Sequence, residues 1–107
     1  MDDRRVFERM QARFPLKFLE ATASEESSGE TFDISANGIG LTSRSSLPVS
    51  SRLEVWLQIP EQAEPFYTRA EVVWSLKNRE DGLCRAGVRL EKAELMGLAR
   101  ALWAKAR

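Results

Sequence analysis

Apolar and polar residues alternate along most of the chain, which is the pattern of half-buried β-strands. Successive side chains of a strand point to opposite faces, so alternation produces one apolar face and one polar face. The clearest example is the run of Leu53, Val55, Leu57 and Ile59. On this basis we predict six strands, at residues 14–21, 30–35, 39–43, 53–59, 66–74 and 84–90.

The segments between these strands are short and rich in turn-forming residues. Residues 22–29 are polar and predict a mobile hairpin loop, prolines bound residues 60–65, and Asp81-Gly82 is typical of a hairpin turn. No helical pattern separates the strands, which rules against parallel βαβ units, and closure would remove exposed sheet edges. We therefore predict an all-β fold, a six-stranded antiparallel β-barrel over residues 14–90.

The two ends of the chain depart from this alternation. Residues 1–13 are rich in charge and poor in apolar side chains, and predict a flexible arm that carries arginines. After residue 91 the period changes, because Leu95, Leu98 and Leu102 recur at helical spacing. Residues 92–106 therefore predict a C-terminal α-helix that packs on the barrel. A chain of 107 residues fits one domain.

Composition narrows the classes of function. Lysine plus arginine and aspartate plus glutamate are both 16, so no broad positive field is available for a nucleic-acid polymer, and any anion must be bound locally. The absence of histidine removes the commonest catalytic base and metal ligand, so we expect neither an enzyme nor a bound cofactor. The single cysteine, Cys84, alternates with apolar residues and is expected to be a buried thiol.

Membrane insertion and export are not expected either. The chain contains no apolar run of 18 residues, and the charged start at residues 1–5 is not followed by the apolar segment of a signal peptide. We expect a cytoplasmic protein.

Polar chemistry collects where the second and third predicted strands meet. Alternation places Asp33 and Ser35 on one face together with Thr31, and Phe32 and Ile34 on the other. Asn37 and Gly38 follow, and these residue types readily adopt a positive φ, so the backbone can turn sharply and point its N–H groups outward. Taken alone, this corner is also compatible with an ordinary Asx or Ser/Thr turn.

With the arginines of the arm, this corner resembles the signature of the PilZ domain, a bacterial receptor for cyclic di-GMP. That signature joins R-x-x-x-R, here Arg5-Val-Phe-Glu-Arg9, to [D/N]-x-S-x-x-G, here Asp33-Ile-Ser35-Ala-Asn-Gly38. Arg9 and Arg13 also fit the arginine spacing. The family places a proline six residues after the second arginine, which selects Arg9 because of Pro15. The resemblance implies a split barrel with a C-terminal helix.

The resemblance also implies a set of ligand residues. Arginine can bond O6 and N7 of guanine or a phosphate, and ionised aspartate can accept the guanine N1–H and N2–H₂ donors. In the family, an arginine just ahead of the pair accompanies an intercalated dimer of cyclic di-GMP, and Arg4 holds that position. Asn37 stands where a second glycine is common. The implied cyclic di-GMP residues are Arg4, Arg5, Arg9, Asp33, Ser35, Asn37 and Gly38.

Other interpretations remain. A degenerate PilZ-like adaptor would bind a protein but no nucleotide, whereas a receptor would relay the signal to an effector protein when its arm folds over the ligand. An oligonucleotide-binding barrel would use Trp56, Phe66 or Trp74 for stacking. Trp74 is in phase with Ala70 and Val72, which predicts a core position. Arg85 and Arg89 face away from the core and are expected to be solvated, although either could reach a ligand on the barrel surface.

Overall fold

The alternating segments form antiparallel strands in the computed structural model, which describes residues 10–35 and 38–91. Each strand after the first two-residue one buries at least one apolar side chain, and the connections carry the turn-forming residues. The strands are β1 (Met10–Gln11), β2 (Pro15–Glu20), β3 (Ser27–Ser35), β4 (Gly38–Ser43), β5 (Arg52–Leu57), β6 (Phe66–Lys77) and β7 (Cys84–Leu90).

Six of these strands close into a barrel. Their order is β3-β2-β5-β6-β7-β4, all neighbours are antiparallel, and β4 pairs back to β3. The short β1 lies beside β3, where Met10 is opposite Ile34 and Gln11 is opposite Asp33. The predicted all-β, six-stranded antiparallel barrel is confirmed. The predicted helix over residues 92–106 lies outside the described residues.

The core fills the barrel interior with side chains from alternate strand positions. Leu47 and Ile59 add to it from the loops at 1% exposure each. Cys84 is buried at 4% exposure, as predicted. Closure is what allows so short a chain to bury an apolar face on every strand. The largest fully buried apolar side chains are Ile34, Leu41, Leu47, Val55, Leu57, Ile59 and Val72.

Some boundaries differ from the prediction. Residues 27–29 belong to β3 because they pair with β2, so the preceding loop is shorter than expected. Strand β6 continues to Lys77 because its last residues pair with β7. At the other end, residues 10–11 already pair with β3, so the last part of the predicted arm is attached to the barrel.

A bulge in β3 corrects the predicted faces of that strand. The register with β4 shifts between Thr31 and Asp33, which leaves Phe32 as the extra residue. Thr31 is therefore buried at 1% exposure and shares the inner face with Ile34, while Phe32 is half-buried. The predicted pairing of Phe32 with Ile34 on one face, and of Thr31 with Asp33 on the other, is wrong. Asp33 does point outward.

A second bulge, in β6, corrects the position of Trp74. The register with β7 shifts between Val72 and Trp74, which makes Val73 the extra residue. Val72 is buried at 1% exposure, whereas Trp74 is 45% exposed. The predicted core position of Trp74 is wrong because the bulge reverses the phase after Val72.

The buried hydroxyl of Thr31 anchors the chain between β1 and β2. It accepts a hydrogen bond from the Phe14 N–H at 2.9 Å and donates to the carbonyl of Ala12. The Thr31 N–H in turn donates to the Phe14 carbonyl at 2.9 Å. These bonds satisfy a buried polar group and fix the root of the N-terminal arm against β3.

Candidate ligand-binding site

The candidate site is built around two buried glycines. Gly40 of β4 lies directly opposite Gly87 of β7. A glycine within a strand often marks a place where another group approaches the backbone closely. Here two such residues are adjacent across the ladder, and each is covered by a side chain from the neighbouring strand.

Asp33 and Phe32 form the wall beside Gly40. A Cβ atom added to Gly40 would lie 2.5 Å from Oδ1 of Asp33 and 2.5 Å from Cζ of Phe32. The carboxylate and the ring therefore rest on the Gly40 backbone. The bulge in β3 makes this possible, because it turns both side chains toward β4.

Trp74 forms the opposite wall. A Cβ atom added to Gly87 would overlap Nε1 of Trp74 and would lie 2.7 Å from its Cδ1 and Cε2, so the indole lies against the Gly87 backbone. The rings of Trp74 and Phe32 approach across the two glycines, with centroids 6.5 Å apart and planes tilted by 53°. An aromatic pair thus borders the two glycines on both sides.

Gly38 forms the rim where β4 begins. It has a φ of 145°, and an added Cβ would overlap the carbonyl oxygen of Val88. Ser35 lies opposite Gly38 in the register of β3 and β4. Only glycine combines this backbone conformation with so close an approach to β7.

The enclosed space is a shallow pocket of about 160 Å³. A carboxylate and a hydroxyl face it from one side, and the indole of Trp74 faces it from the other. This set offers acceptors for N–H groups, one rotatable hydroxyl and a flat apolar surface. The residues that line the pocket are Asp33, Ser35, Gly38, Ile39, Gly40, Val73, Trp74, Gly87 and Val88.

The structure brings together three of the predicted site residues: Asp33, Ser35 and Gly38 line one pocket. The other predicted ligand residues, Arg4, Arg5, Arg9 and Asn37, lie outside the described residues.

Sequence reasoning did not assign the other six pocket residues to the site, and Gly40, Gly87 and Trp74 matter most among them. A signal for them existed. Gly40 and Gly87 each interrupt a strand pattern, which is typical of close backbone approach. The unbroken apolar run from Val72 to Trp74 departs from strict alternation, which is compatible with a bulge.

A larger concavity of about 400 Å³ lies on another part of the barrel, around the start of β5, the middle of β6 and the end of β7. Its charged groups already face one another. Arg69 bonds Glu91 at 3.0 Å, and Arg89 bonds Glu71 at 2.9 Å. Three arginines and three glutamates line it, so it carries no excess charge toward an anion. Size alone therefore does not identify the site.

The strand arginines do not line the smaller pocket. Arg89 is paired with Glu71, and Arg85 bonds Asp81 at 3.1 Å within the β6–β7 hairpin. The N–H of Leu83, followed by Arg85, holds the pKa of the Asp81 carboxyl below its ordinary value. The hairpin predicted from Asp81-Gly82 is present, with Gly82 at a φ of 72°.

Metal binding and membrane insertion are two further properties that bear on the function. In the described part of the chain, no group of three or more histidine, cysteine, aspartate or glutamate side chains could hold a metal ion. The same residues include no helix with the length and apolar character needed to cross a membrane.

Comparison with known families identifies the fold. The family model of the PilZ domain matches residues 3–101. This chain belongs to the PilZ domain family. The match covers the R-x-x-x-R segment, the D-x-S-x-x-G corner and every strand of the barrel. A search of curated protein sequences found no match.

Solved structures of PilZ proteins share the architecture. The PilZ domain of CeSA from a cellulose-synthesizing bacterium is 16% identical, with a TM-score of 0.63 over 89% of this chain and 97% of that chain. The PilZ domain of YcgR from Escherichia coli, solved with c-di-GMP, is 14% identical, with a TM-score of 0.62 over 94% of this chain and 92% of that chain.

The Bacillus subtilis inhibitor of motility MotI/DgrA is 19% identical, with a TM-score of 0.65 over 94% of this chain. This PilZ domain spans 52% of the length of that protein. At these identities, the three neighbours establish a common fold.

Proposed function

We propose that this PilZ domain is a bacterial receptor for cyclic di-GMP, and that it has no catalytic activity of its own. The observation that carries the proposal is the convergence of Asp33, Ser35 and Gly38 on one pocket, beside the strand that leads to the arm arginines. The PilZ domain of YcgR was solved with the same ligand, which supports it.

The pocket suits the edge and the face of a guanine base. The ionised carboxylate of Asp33 accepts the N1–H and N2–H₂ donors of guanine, and the Ser35 hydroxyl bonds a base atom or a phosphate. The two glycines let the side chains of Asp33 and Trp74 lie close to the sheet, and the N–H groups near Gly38 bond anionic oxygen atoms. Trp74, which the sequence placed in the core, presents its ring as a stacking surface.

The geometry at β1 supports a role for the arm. Met10 lies opposite Ile34, the residue between Asp33 and Ser35. Arg9 directly precedes Met10 in the sequence, and Arg5 lies four residues before Arg9, so the R-x-x-x-R motif adjoins the strand that pairs with β3. The guanidinium groups supply paired donors for phosphate and for guanine O6 and N7.

Alanine substitutions in the arm test this role. Arg5→Ala and Arg9→Ala are each expected to weaken binding roughly tenfold to a hundredfold, because a hydrogen bond to a charged group contributes about 1.5–3 kcal/mol. Arg13→Ala is the matched control and should be nearly silent, since Arg13 is exposed and belongs to the anchored segment after β1. Equal losses at Arg9 and Arg13 with none at Arg5 would assign the motif to Arg9 and Arg13 instead.

We further propose that the ligand binds as an intercalated dimer, through Arg4. Two stacked molecules expose more phosphate and more guanine edges than one, and a third arginine suits that larger anion. Titration calorimetry should give a ratio near two ligands per chain that falls toward one in Arg4→Leu. A wild-type ratio of one with unchanged affinity in Arg4→Leu would contradict the dimer. The alternative is an exposed Arg4 that pairs weakly with Asp2 or Asp3, a contact worth about 0 to 1 kcal/mol.

Signal relay is proposed to run through the arm to an effector protein. Engagement of Arg5 and Arg9 by ligand would order the segment before β1 and create a new surface. Amide hydrogen exchange over residues 3–13 should slow when cyclic di-GMP is added. Equally slow exchange with and without ligand would place the switch elsewhere. A chain that binds its effector but no nucleotide would instead be the degenerate adaptor, and we expect either protein to act in the cytoplasm.

A further inference from the structure

The last part of β6 has an unpaired side in the described part of the molecule. Strand β5 pairs with β6 only as far as Arg52 opposite Glu71, and the loop at residues 50–51 bonds the backbone of Val72. Beyond Val72 and the bulge residue Val73, residues 74–77 pair with β7 on one side. No described residue hydrogen-bonds the backbone of residues 73–77 on the other side. We call these five residues the β6 edge.

The register shows which backbone groups the β6 edge offers. The N–H of Asn78 donates across the hairpin to the Leu83 carbonyl at 2.8 Å, so Asn78 faces β7. Residues of an antiparallel pair alternate between facing the partner strand and facing away from it. Leu76 therefore bonds toward β7, while the N–H and C=O groups of Ser75 and Lys77 point to the open side.

Apolar side chains accompany these open backbone groups. Trp74 is 45% exposed and Leu76 is 65% exposed. Both lie on the outer face of the sheet, opposite Gly87 and Arg85 respectively. An unpaired strand edge with exposed apolar side chains is a template for pairing with another strand.

We propose that the β6 edge pairs with the β6 edge of a second copy of this chain. Antiparallel pairing about a two-fold axis at Ser75 sets Ser75 opposite itself, Trp74 opposite Leu76 of the second copy, and Val73 opposite Lys77. The edge is self-complementary in this register, because each exposed tryptophan meets an exposed leucine on the same face and no like charges lie directly opposite. The chain carries no net charge that would oppose association.

The β6 edge is limited at one end by the bulge at Val73 and at the other by the charge of Lys77. Bulges and lysines are common ways of protecting a strand edge from longer pairing. Five residues per copy bury little surface, so the dimer is weak and forms in a concentration-dependent way. The observations behind the dimer do not depend on the proposed ligand, but the two sites share Trp74, which also lines the candidate pocket. Leu76 of the second copy would lie against that wall of the pocket.

Sedimentation equilibrium of the full chain without ligand, from micromolar to millimolar concentration, tests the dimer. The weight-average mass of the wild type should rise above 12.1 kDa toward twice that value. Ser75→Pro should stay monomeric, because it removes an N–H that faces the open side and leaves the bonds to β7 intact. Leu76→Lys should also stay monomeric. Tyr67→Lys is the control, since Tyr67 is 43% exposed on the part of β6 that pairs with β5.

A crosslink gives a second measurement on a conservative variant. Residues directly opposite in a hydrogen-bonded antiparallel pair have Cα atoms about 5.5 Å apart, within the range of a disulfide. Ser75→Cys should therefore form a reducible dimer on mild oxidation, and Tyr67→Cys should not. A wild type that remains at 12.1 kDa at every concentration overturns the proposal. So does equal crosslinking of Ser75→Cys and Tyr67→Cys.

Discussion

Two outer regions of the barrel satisfy their polar groups in different ways. The ladder face, formed by β5, the first half of β6 and the end of β7, keeps an unbroken register from Arg52 opposite Glu71 to Leu57 opposite Phe66. Its outward charges pair across the strands. The pocket face, formed by β3, β4, the middle of β7 and the second half of β6, has a bulge in each of its two outer strands and two opposed glycines between them.

This difference shows why the smaller hollow is the better candidate for a ligand. The ladder face has the larger concavity, but two of its arginines are paired with two of its glutamates, Arg69 with Glu91 and Arg89 with Glu71. An anion bound there would have to displace existing ion pairs. On the pocket face, the bulges and the two buried glycines bring a carboxylate, a hydroxyl and an indole around one pocket. Irregular strands make a preformed recognition surface, whereas regular strands make a closed one.

The largest expected effect comes from filling the rim of the pocket. Gly38→Ala should lower the free energy of unfolding by about 3 kcal/mol, because the new Cβ overlaps the Val88 carbonyl and the backbone is strained. Gly82→Ala is the matched control. Gly82 also has a positive φ, but its added Cβ meets nothing within 4 Å, so a loss of about 1 kcal/mol is expected. If urea denaturation gives the same loss of unfolding free energy for both variants, the close approach of Gly38 to β7 does not contribute to the effect.

The next effect separates the two faces by ligand affinity. Asp33→Ala should weaken cyclic di-GMP binding roughly tenfold to a hundredfold and reduce the preference over cyclic di-AMP, because the carboxylate reads the guanine edge. Glu71→Ala removes a carboxylate from the ladder face and should leave both quantities unchanged. If Glu71→Ala is the more damaging variant, the ligand binds on the ladder face.

A smaller loss is expected from the aromatic wall. Trp74→Ala should weaken binding by about tenfold, since stacking of a base on an aromatic ring is worth roughly 1–3 kcal/mol. Trp56→Ala removes the indole that pairs with Tyr67 on the ladder face, at a centroid distance of 5.5 Å, and should not change the affinity. Fluorescence titration of Trp74→Ala and Trp56→Ala with cyclic di-GMP compares their affinities. Unchanged affinity in Trp74→Ala would mean that the indole packs over Gly87 and does not contribute to ligand binding.

The smallest effect concerns the ion pairs of the ladder face. Arg89→Ala removes an exposed pair with Glu71 and should change the free energy of unfolding by less than about 1 kcal/mol. Added salt should reduce even this difference, because it screens exposed charges. A larger loss of unfolding free energy that does not change with salt would mean that this ion pair is important for the stability of the ladder face.

The alternation of apolar residues predicted the barrel because five of the strands keep a period of two over most of their length. The alternation failed at Thr31, Phe32 and Trp74. Each of β3 and β6 contains one inserted residue, which exchanges the inward and outward sides of the strand from that point on. A bulge is fixed by the partner strand, so period alone does not reveal it. Asp33, Ser35 and Gly38 line one pocket, and their closeness in sequence made that grouping predictable. Gly87 and Trp74 come from distant strands, and only the pairing of β4, β6 and β7 brings them to the site.

Isothermal titration calorimetry of the wild-type chain with cyclic di-GMP, alongside GTP and cyclic AMP, tests the central proposal most directly. The pocket and the arginine arm predict saturable binding of cyclic di-GMP at a ratio near two, with neither control nucleotide binding comparably. Absence of binding to cyclic di-GMP, or equal binding of all three nucleotides, would contradict a cyclic di-GMP receptor.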